Sequence, residues 1–159
     1  MAVVPTGILS TPIAAAKTLL GDTAAWQTWV DEAGDAAAAK AFIYVGAKAG
    51  PLARPFAIVD IFAFALARIG GGSRDVFRAT GTVGIIIEAD VTESDGGDAH
   101  YEFLNELGAV LQDMRELSGS SSYLPNARIS LDSLMSRSTK KQGEAADYYE
   151  ALLRLEYGA

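Results

Sequence analysis

The stretch GTVGIIIEADV, from Gly81 to Val91, has the two-residue period of a β-strand that is covered on one side only. One face carries apolar side chains: Val83, Ile85, Ile87, Ala89 and Val91. The other face carries a mixed set: Gly84, Ile86, Glu88 and Asp90. This stretch predicts an antiparallel strand packed against helices on its apolar face.

The residues before this strand predict a second strand and a loose connection. RPFAIVDIFAFALARI (54–69) is rich in β-branched and aromatic residues, and its proline lies near its start, where a missing N–H is tolerated. Gly70, Gly71 and Gly72 then join the two strands. The glycines are contiguous and an extended segment follows, so they do not form a phosphate-binding loop, which needs spaced glycines and a helix start. We expect this connection to be mobile until a partner orders it.

The residues after Val91 predict one helix and two more strands. DAHYEFLNELGAVLQDMREL (98–117) has an apolar stripe at helical spacing, formed by Leu104, Leu107, Leu111 and Met114 and widened by Phe103, Val110 and Leu117. ARISLDSLMSR (127–137) and DYYEALLRLEYG (147–158) alternate apolar and polar residues, as strands do.

The first forty residues predict helices that pack through tryptophan. STPIAAAKTLL (10–20) offers Ser10 or Thr11 as an N-cap and ends near Gly21. DTAAWQTWVDEAGDAAAAKA (22–41) offers Asp22 or Thr23 as a cap, places Trp26 and Trp29 on one face, and is bent or interrupted at Gly34. FIYVGAK (42–48) predicts the first strand.

These elements follow the order ααβββαββ. Because the strands are grouped rather than alternating with helices, we predict an α+β fold, a mainly antiparallel β-sheet of about five strands with helices packed on one face. The whole chain, residues 1–159, forms one domain, with a helical part at about 10–40 and the sheet and long helix at about 42–158.

The composition excludes several classes of protein. The chain is 50% hydrophobic, too apolar for a disordered protein, yet no apolar run reaches the ~18 residues of a membrane span. A net charge of −7 argues against a generic nucleic-acid binder. The charges are clustered: nine acidic residues face only Arg115 between Glu88 and Glu116.

The residue types leave little room for catalysis. There is no cysteine, and the single histidine, His100, fits the first turn of the long helix better than a catalytic triad. The acidic segment before that helix lacks the spacing of a calcium loop. We therefore predict no enzyme activity, no metal and no cofactor. One alternative from another class is a ligand pocket lined by Trp26, Trp29 and Tyr148.

The layout resembles the tail-terminator, or tail-completion, proteins of long-tailed bacteriophages. The resemblance is carried by RPFAIVDIF, GTVGIIIEADV, FLNELGAVLQDMREL, ISLDSL and above all the closing strand DYYEALLRLEYG. It implies a structural virion protein, made in the host bacterial cytoplasm, that forms a ring, commonly a hexamer, on the head-proximal end of the tail. Its partners would be other copies of itself, the tail tube protein and the head–tail connector protein, with DNA only passing through a channel. Another neck protein, an adaptor or a stopper, is the alternative within this class.

Complementary charges indicate how copies of the chain would meet. The candidate contacts are two basic groups and one acidic pair: Arg68, Arg74 and Arg78 around the glycines; Arg137, Lys140 and Lys141 in SRSTKKQGEAAD; and Glu102 and Glu106 on the long helix. Each group is also compatible with a solvated face. Basic loops meeting an acidic helix face would give a head-to-tail contact that closes into a ring.

Overall fold

The structure, a computed structural model, describes residues 4–46, 52–69, 76–90, 98–119, 124, 127–137 and 148–158. Within these residues it contains four helices and five strands. The helices are α1 (Ser10–Asp22), α2 (Ala24–Trp29), α3 (Ala36–Lys40) and α4 (Asp98–Ser118). The strands are β1 (Ile43–Val45), β2 (Phe56–Ile69), β3 (Val76–Asp90), β4 (Arg128–Arg137) and β5 (Tyr148–Tyr157).

The five strands form one sheet in the order β1-β2-β3-β5-β4. The contacts of β2 with β3, β3 with β5 and β4 with β5 are antiparallel, and β1 lies parallel to β2. The predicted α+β fold with a mainly antiparallel sheet is therefore confirmed. The parallel pairing of β1 with β2 was not predicted. Strand β1 is also shorter than predicted: it has three residues where seven were predicted, and the last two of those seven lie outside the described residues.

The helices cover one face of the sheet, here called the inner face. The alternation in β3 and β5 predicted which residues point there. Of the described ones Tyr157 is half-buried and the others are buried: Val83, Ile85, Ile87, Ala89, Tyr149, Ala151, Leu153 and Leu155. They form one core with the helices. Within that core, Trp26 is fully buried and its indole N–H donates to the Ala39 carbonyl at 3.1 Å. The tryptophans thus serve as core, as their spacing indicated.

The second predicted helix is two short helices. Gly34, at φ +83°, lies between α2 and α3, which confirms the interruption there. Thr23 caps α2 as predicted, because its hydroxyl accepts the N–H of Trp26 at 3.2 Å. The predicted cap of α1 by Ser10 or Thr11 is wrong. The first residues of α1 continue a turn in which the Thr11 N–H donates to the Gly7 carbonyl. Leu9 therefore occupies the cap position, and it makes no side-chain hydrogen bond there.

Helix α4 buries four residues of the predicted stripe, Phe103, Leu107, Val110 and Met114, but its buried face is turned slightly from the centre of that stripe. Its buried stripe is Ala99, Phe103, Leu107, Val110, Met114 and Ser118, whereas Leu104 and Leu111 are only half-buried. The rotation follows from its neighbours: the ring of Trp29 contacts that of Phe103 at a centroid distance of 5.6 Å, and Tyr149 stacks on Phe103 at 4.9 Å. Asp113 holds α4 to α2 by accepting the Ala25 N–H at 2.9 Å.

Candidate functional site

Strands β2 and β3 continue past the rest of the sheet as a two-stranded ribbon. Strand β5 pairs with β3 only from Gly81 onwards, and β1 pairs with β2 only at residues 57–59. Residues 65–69 and 76–80 are therefore paired with each other alone among the described strands, in five residue pairs from Ala65–Thr80 to Ile69–Val76. We call these residues the hairpin arm. Five pairs extend about 16 Å along the strands.

The arm is apolar for an exposed element. Leu66 is 52% exposed, Ala65 and Ala67 are exposed, and Ala79, the partner of Leu66, is half-buried. An isolated two-stranded hairpin is only marginally stable in water, and proteins usually cover or charge a free strand edge. The arm has exposed apolar side chains at residues 65–67 and, along β2, an edge that no described strand pairs with, whereas Gly158 lies against Ala79 on the β3 side. Its described surface is therefore that of an element that docks against another protein surface.

A β-bulge marks the approach to the arm. The register of β2 against β3 shifts between Ile61 and Ala63, which leaves Phe62 as the extra residue. Its ring lies over Gly84 on the outer face, the face that the helices leave uncovered, where any side chain larger than hydrogen would meet it. Bulges bend a strand and increase its twist, so this one sets the direction of the arm.

The arm contains two of the predicted basic residues. Arg68 pairs with Phe77 and Arg78 pairs with Ala67, so the two arginines belong to consecutive pairs on opposite strands. The backbone positions of Arg68 and Arg78 are thus close together, as expected for members of one basic group. The third member, Arg74, lies outside the described residues, as do Gly70, Gly71 and Gly72. The expectation that this connection is mobile concerns residues that the structure does not describe.

The predicted acidic pair lies at the opposite end of the sheet. Glu102 and Glu106 line a cavity of about 230 Å³ together with Trp29, Phe103 and Asp90, the last residue of β3. Arg78 and Asp90 are twelve residues apart on this strand, which corresponds to about 40 Å. The acidic pair and the arm therefore do not meet within one chain.

The second basic group is far from the first. Arg137 is the last residue of β4 and pairs with Tyr148, which in turn pairs with Asp90. It lies at the same end of the sheet as Glu102, away from the arm. Lys140 and Lys141 lie outside the described residues. The two basic groups thus belong to opposite ends of the sheet.

Sequence reasoning missed a cluster around Arg54. Its guanidinium lies 3.2 Å from the Glu88 carboxylate and 3.3 Å from that of Asp90, and it covers the ring of Tyr148 at 3.9 Å. The signal was available, because Glu88 and Asp90 are charged residues on a strand face that otherwise carries Gly84 and Ile86. The partner is 34 residues away, and no local spacing connects the two. The cluster stabilises a buried carboxylate on the outer face.

The alternative prediction, a ligand pocket lined by Trp26, Trp29 and Tyr148, is wrong. Trp26 is fully buried in the core, Trp29 lines the cavity beside Glu102, and Tyr148 lies on the outer face under Arg54. The two tryptophans belong to α2 and lie on the inner face of the sheet. Tyr148 lies on the outer face because consecutive residues of β5 point to opposite sides and Tyr149 points inward. They cannot line a common pocket.

Tyr157 lies at the base of the arm, beside Gly81 and Ala79. Burial raises the pKa of its hydroxyl. That hydroxyl has no hydrogen-bond partner within the part of the chain that the structure describes. It is therefore a buried polar group that packs against Gly81.

Neither a metal-binding cluster nor a membrane-spanning helix occurs among the described residues. They contain no group of three or more histidine, aspartate or glutamate side chains arranged to hold a metal ion. None of the described helices combines the length and apolar character needed to cross a bilayer.

No protein-family model matches the chain, and no curated protein matches it either. The hairpin arm and the separated charges are therefore the features from which a function has to be argued.

Proposed function

We propose that this protein is a structural subunit of a long-tailed bacteriophage, a tail terminator that forms a ring on the tail tube and joins it to the head-side connector. The proposal combines the resemblance in element order with the α+β fold. The observation that carries it is the hairpin arm, an exposed apolar ribbon that projects past the core. A subunit made for assembly needs such a surface, whereas a monomer is destabilised by it.

The distribution of charge supports contact between copies. The arm carries Arg68 and Arg78, and Glu102 and Glu106 lie at the other end of the sheet, about 40 Å away along β3. Opposite charges at the two ends of one molecule attract two copies head to tail. Such heterologous contacts generate a closed ring when the rotation between copies closes. A hexamer of the 16.7 kDa chain has a mass of about 100 kDa.

In this proposal the protein has no catalytic role and DNA only passes through the ring. The chain has a net charge of −7, and carboxylates such as those of Glu102 and Glu106 repel phosphate. If these two side chains line the channel instead of the contact between copies, their replacement by lysine slows DNA passage. Unchanged passage in the double lysine variant would remove these residues from the channel wall.

The test is the binding of the purified protein to tail tubes. We expect electron microscopy to show the protein at one end of each tube, and tube growth from free tube protein to stop once it is bound. Isolated connector rings serve as the comparison. Binding to connector rings with no binding to tubes would replace the terminator by an adaptor or stopper, and binding to neither would refute the proposal.

A further inference from the structure

An open groove of about 610 Å³ runs between α4 and the edge strand β4. Its walls combine apolar and polar side chains: Leu111, Ile129 and Leu131, with Gln112, Arg115, Glu116 and Ser130. Leu131 is 43% exposed although it points to the helix side of the sheet. The groove is therefore an apolar surface that the chain itself leaves partly uncovered.

The groove borders a free strand edge. Strand β4 pairs with β5 on one side, and no strand among the described residues pairs with its other side. A free edge presents a row of N–H and C=O groups that another strand can satisfy. Addition of a strand to such an edge is a common mode of recognition, in which the main chain supplies affinity and side-chain pockets supply specificity.

We infer that this groove receives the hairpin arm of a second copy of the chain, with the free edge of its β2 added to β4. The inference rests on the proposed function and names the contact that would join neighbouring subunits of the ring. The arm has the matching properties: it continues a β2 edge, residues 60–69, with which no described strand pairs on that side, and it has an exposed apolar side chain at Leu66.

Charge favours the same pairing. Helix α4, one wall of the groove, carries five acidic residues and one arginine, a net charge of −4 with His100 neutral. The arm contains Arg68 and Arg78 and no acidic residue. The helix as a whole therefore attracts the arm, although the charged residues that line the groove itself are one acid and one base, Glu116 and Arg115. Two arms or two α4 helices repel each other, which favours a head-to-tail contact over a symmetric one.

The sheet order shows that the occupant is a different copy. Strand β5 lies between β3 and β4, and the arm continues β2 and β3 beyond the end of β5. Within one chain the arm and the free edge of β4 are thus separated by the sheet itself. The contact forms only between molecules, and repetition of it leads from copy to copy.

The absence of cysteine permits a clean cross-linking test. A chain with Leu66→Cys is mixed with a chain with Leu131→Cys, and the mixture is treated with a short bismaleimide. The matched control replaces Leu131→Cys by Tyr101→Cys, a site that is 67% exposed on the same helix wall but outside the groove. A second pair, Ala65→Cys with Ser130→Cys, guards against a local effect of either leucine replacement.

We expect a covalent dimer from the groove pairs at a yield at least tenfold above the Tyr101 control, and a ladder of oligomers from the double variant Leu66→Cys, Leu131→Cys. The mass of the unmodified protein by light scattering is measured in parallel. A ring-sized mass without preferential cross-linking would overturn the groove contact and leave the proposed function standing. A monomeric mass at every concentration, with and without tail tubes, would overturn both.

Discussion

Replacement of Leu66 by aspartate should prevent assembly while leaving the fold intact. Leu66 is 52% exposed in the single chain, so about half of its side chain remains to be buried in a contact. Full burial of a leucine stabilises by about 1.5–3 kcal/mol, so its removal should cost each contact about 1 kcal/mol. Burying a carboxylate without a partner adds about 2 kcal/mol or more.

The expected total of about 3 kcal/mol corresponds to a weakening of roughly 100-fold in the dissociation constant of each contact. The effect on the single chain should be much smaller, since exposed substitutions usually change stability by about 0.5 kcal/mol. Sedimentation velocity over a concentration series measures the first quantity, and urea unfolding measures the second. The two effects therefore separate experimentally.

Two variants calibrate this result. Leu66→Ala removes the apolar surface without adding a charge and should weaken the contact by roughly fivefold to tenfold, in line with about 1 kcal/mol. Val45→Asp introduces the same charge at a residue that is 53% exposed on β1, away from the arm, and should leave assembly unchanged. A folded Leu66→Asp protein that assembles as the unmodified chain does would refute the role of the arm.

Three further predictions concern the stability of the single chain. Asp31 follows α2 at φ +62°, a conformation that glycine adopts without strain, so Asp31→Gly should raise the free energy of unfolding by about 0.5–1 kcal/mol; a decrease measured in urea would contradict this. Thr23→Ala should lower it by about 1–2 kcal/mol, because the buried hydroxyl caps α2 and donates to the Leu20 carbonyl at 2.7 Å, whereas Thr23→Ser should retain most of the stability. Tyr157→Phe should raise it by about 1 kcal/mol at pH 7, because it removes a hydroxyl that lacks a partner among the described residues. Burial raises the pKa of Tyr157, so above a pH of about 10 the unfolded chain ionises first and the unmodified protein loses stability. The advantage of Tyr157→Phe should therefore grow above that pH, and a constant difference in thermal unfolding from pH 8 to 11 would refute the argument.

The fold could be predicted where a local pattern and the final packing agree. The alternation of β3 and β5 identifies the inner face because each strand is covered on one side only, so Ile85 and Leu153 had to point to the helices. The break at Gly34 and the cap at Thr23 followed from the conformational preferences of single residues. The rotation of α4 did not follow, because its orientation depends on Trp29, which comes from another helix.

The candidate site was predictable only in part. The arginines at positions 68 and 78 flank a short connection between two strands, so a hairpin brings them together. The strand order β3-β5-β4 separates Arg137 from them and joins it to the acidic end, and no sequence spacing encodes that order. The length of the arm was also missed: β3 begins at Val76, five residues before the predicted start, because pairing with β2 extends a segment whose own apolar alternation is weak.

The most direct test of the account is the mass of the protein in solution, measured by light scattering for the unmodified chain and for a chain in which a short turn replaces residues 65–80. The account predicts a discrete ring-sized species for the first, alone or with tail tubes, and a folded monomer for the second. A ring that persists without the arm would contradict the account, as would an unmodified chain that stays monomeric at every concentration, with and without tail tubes.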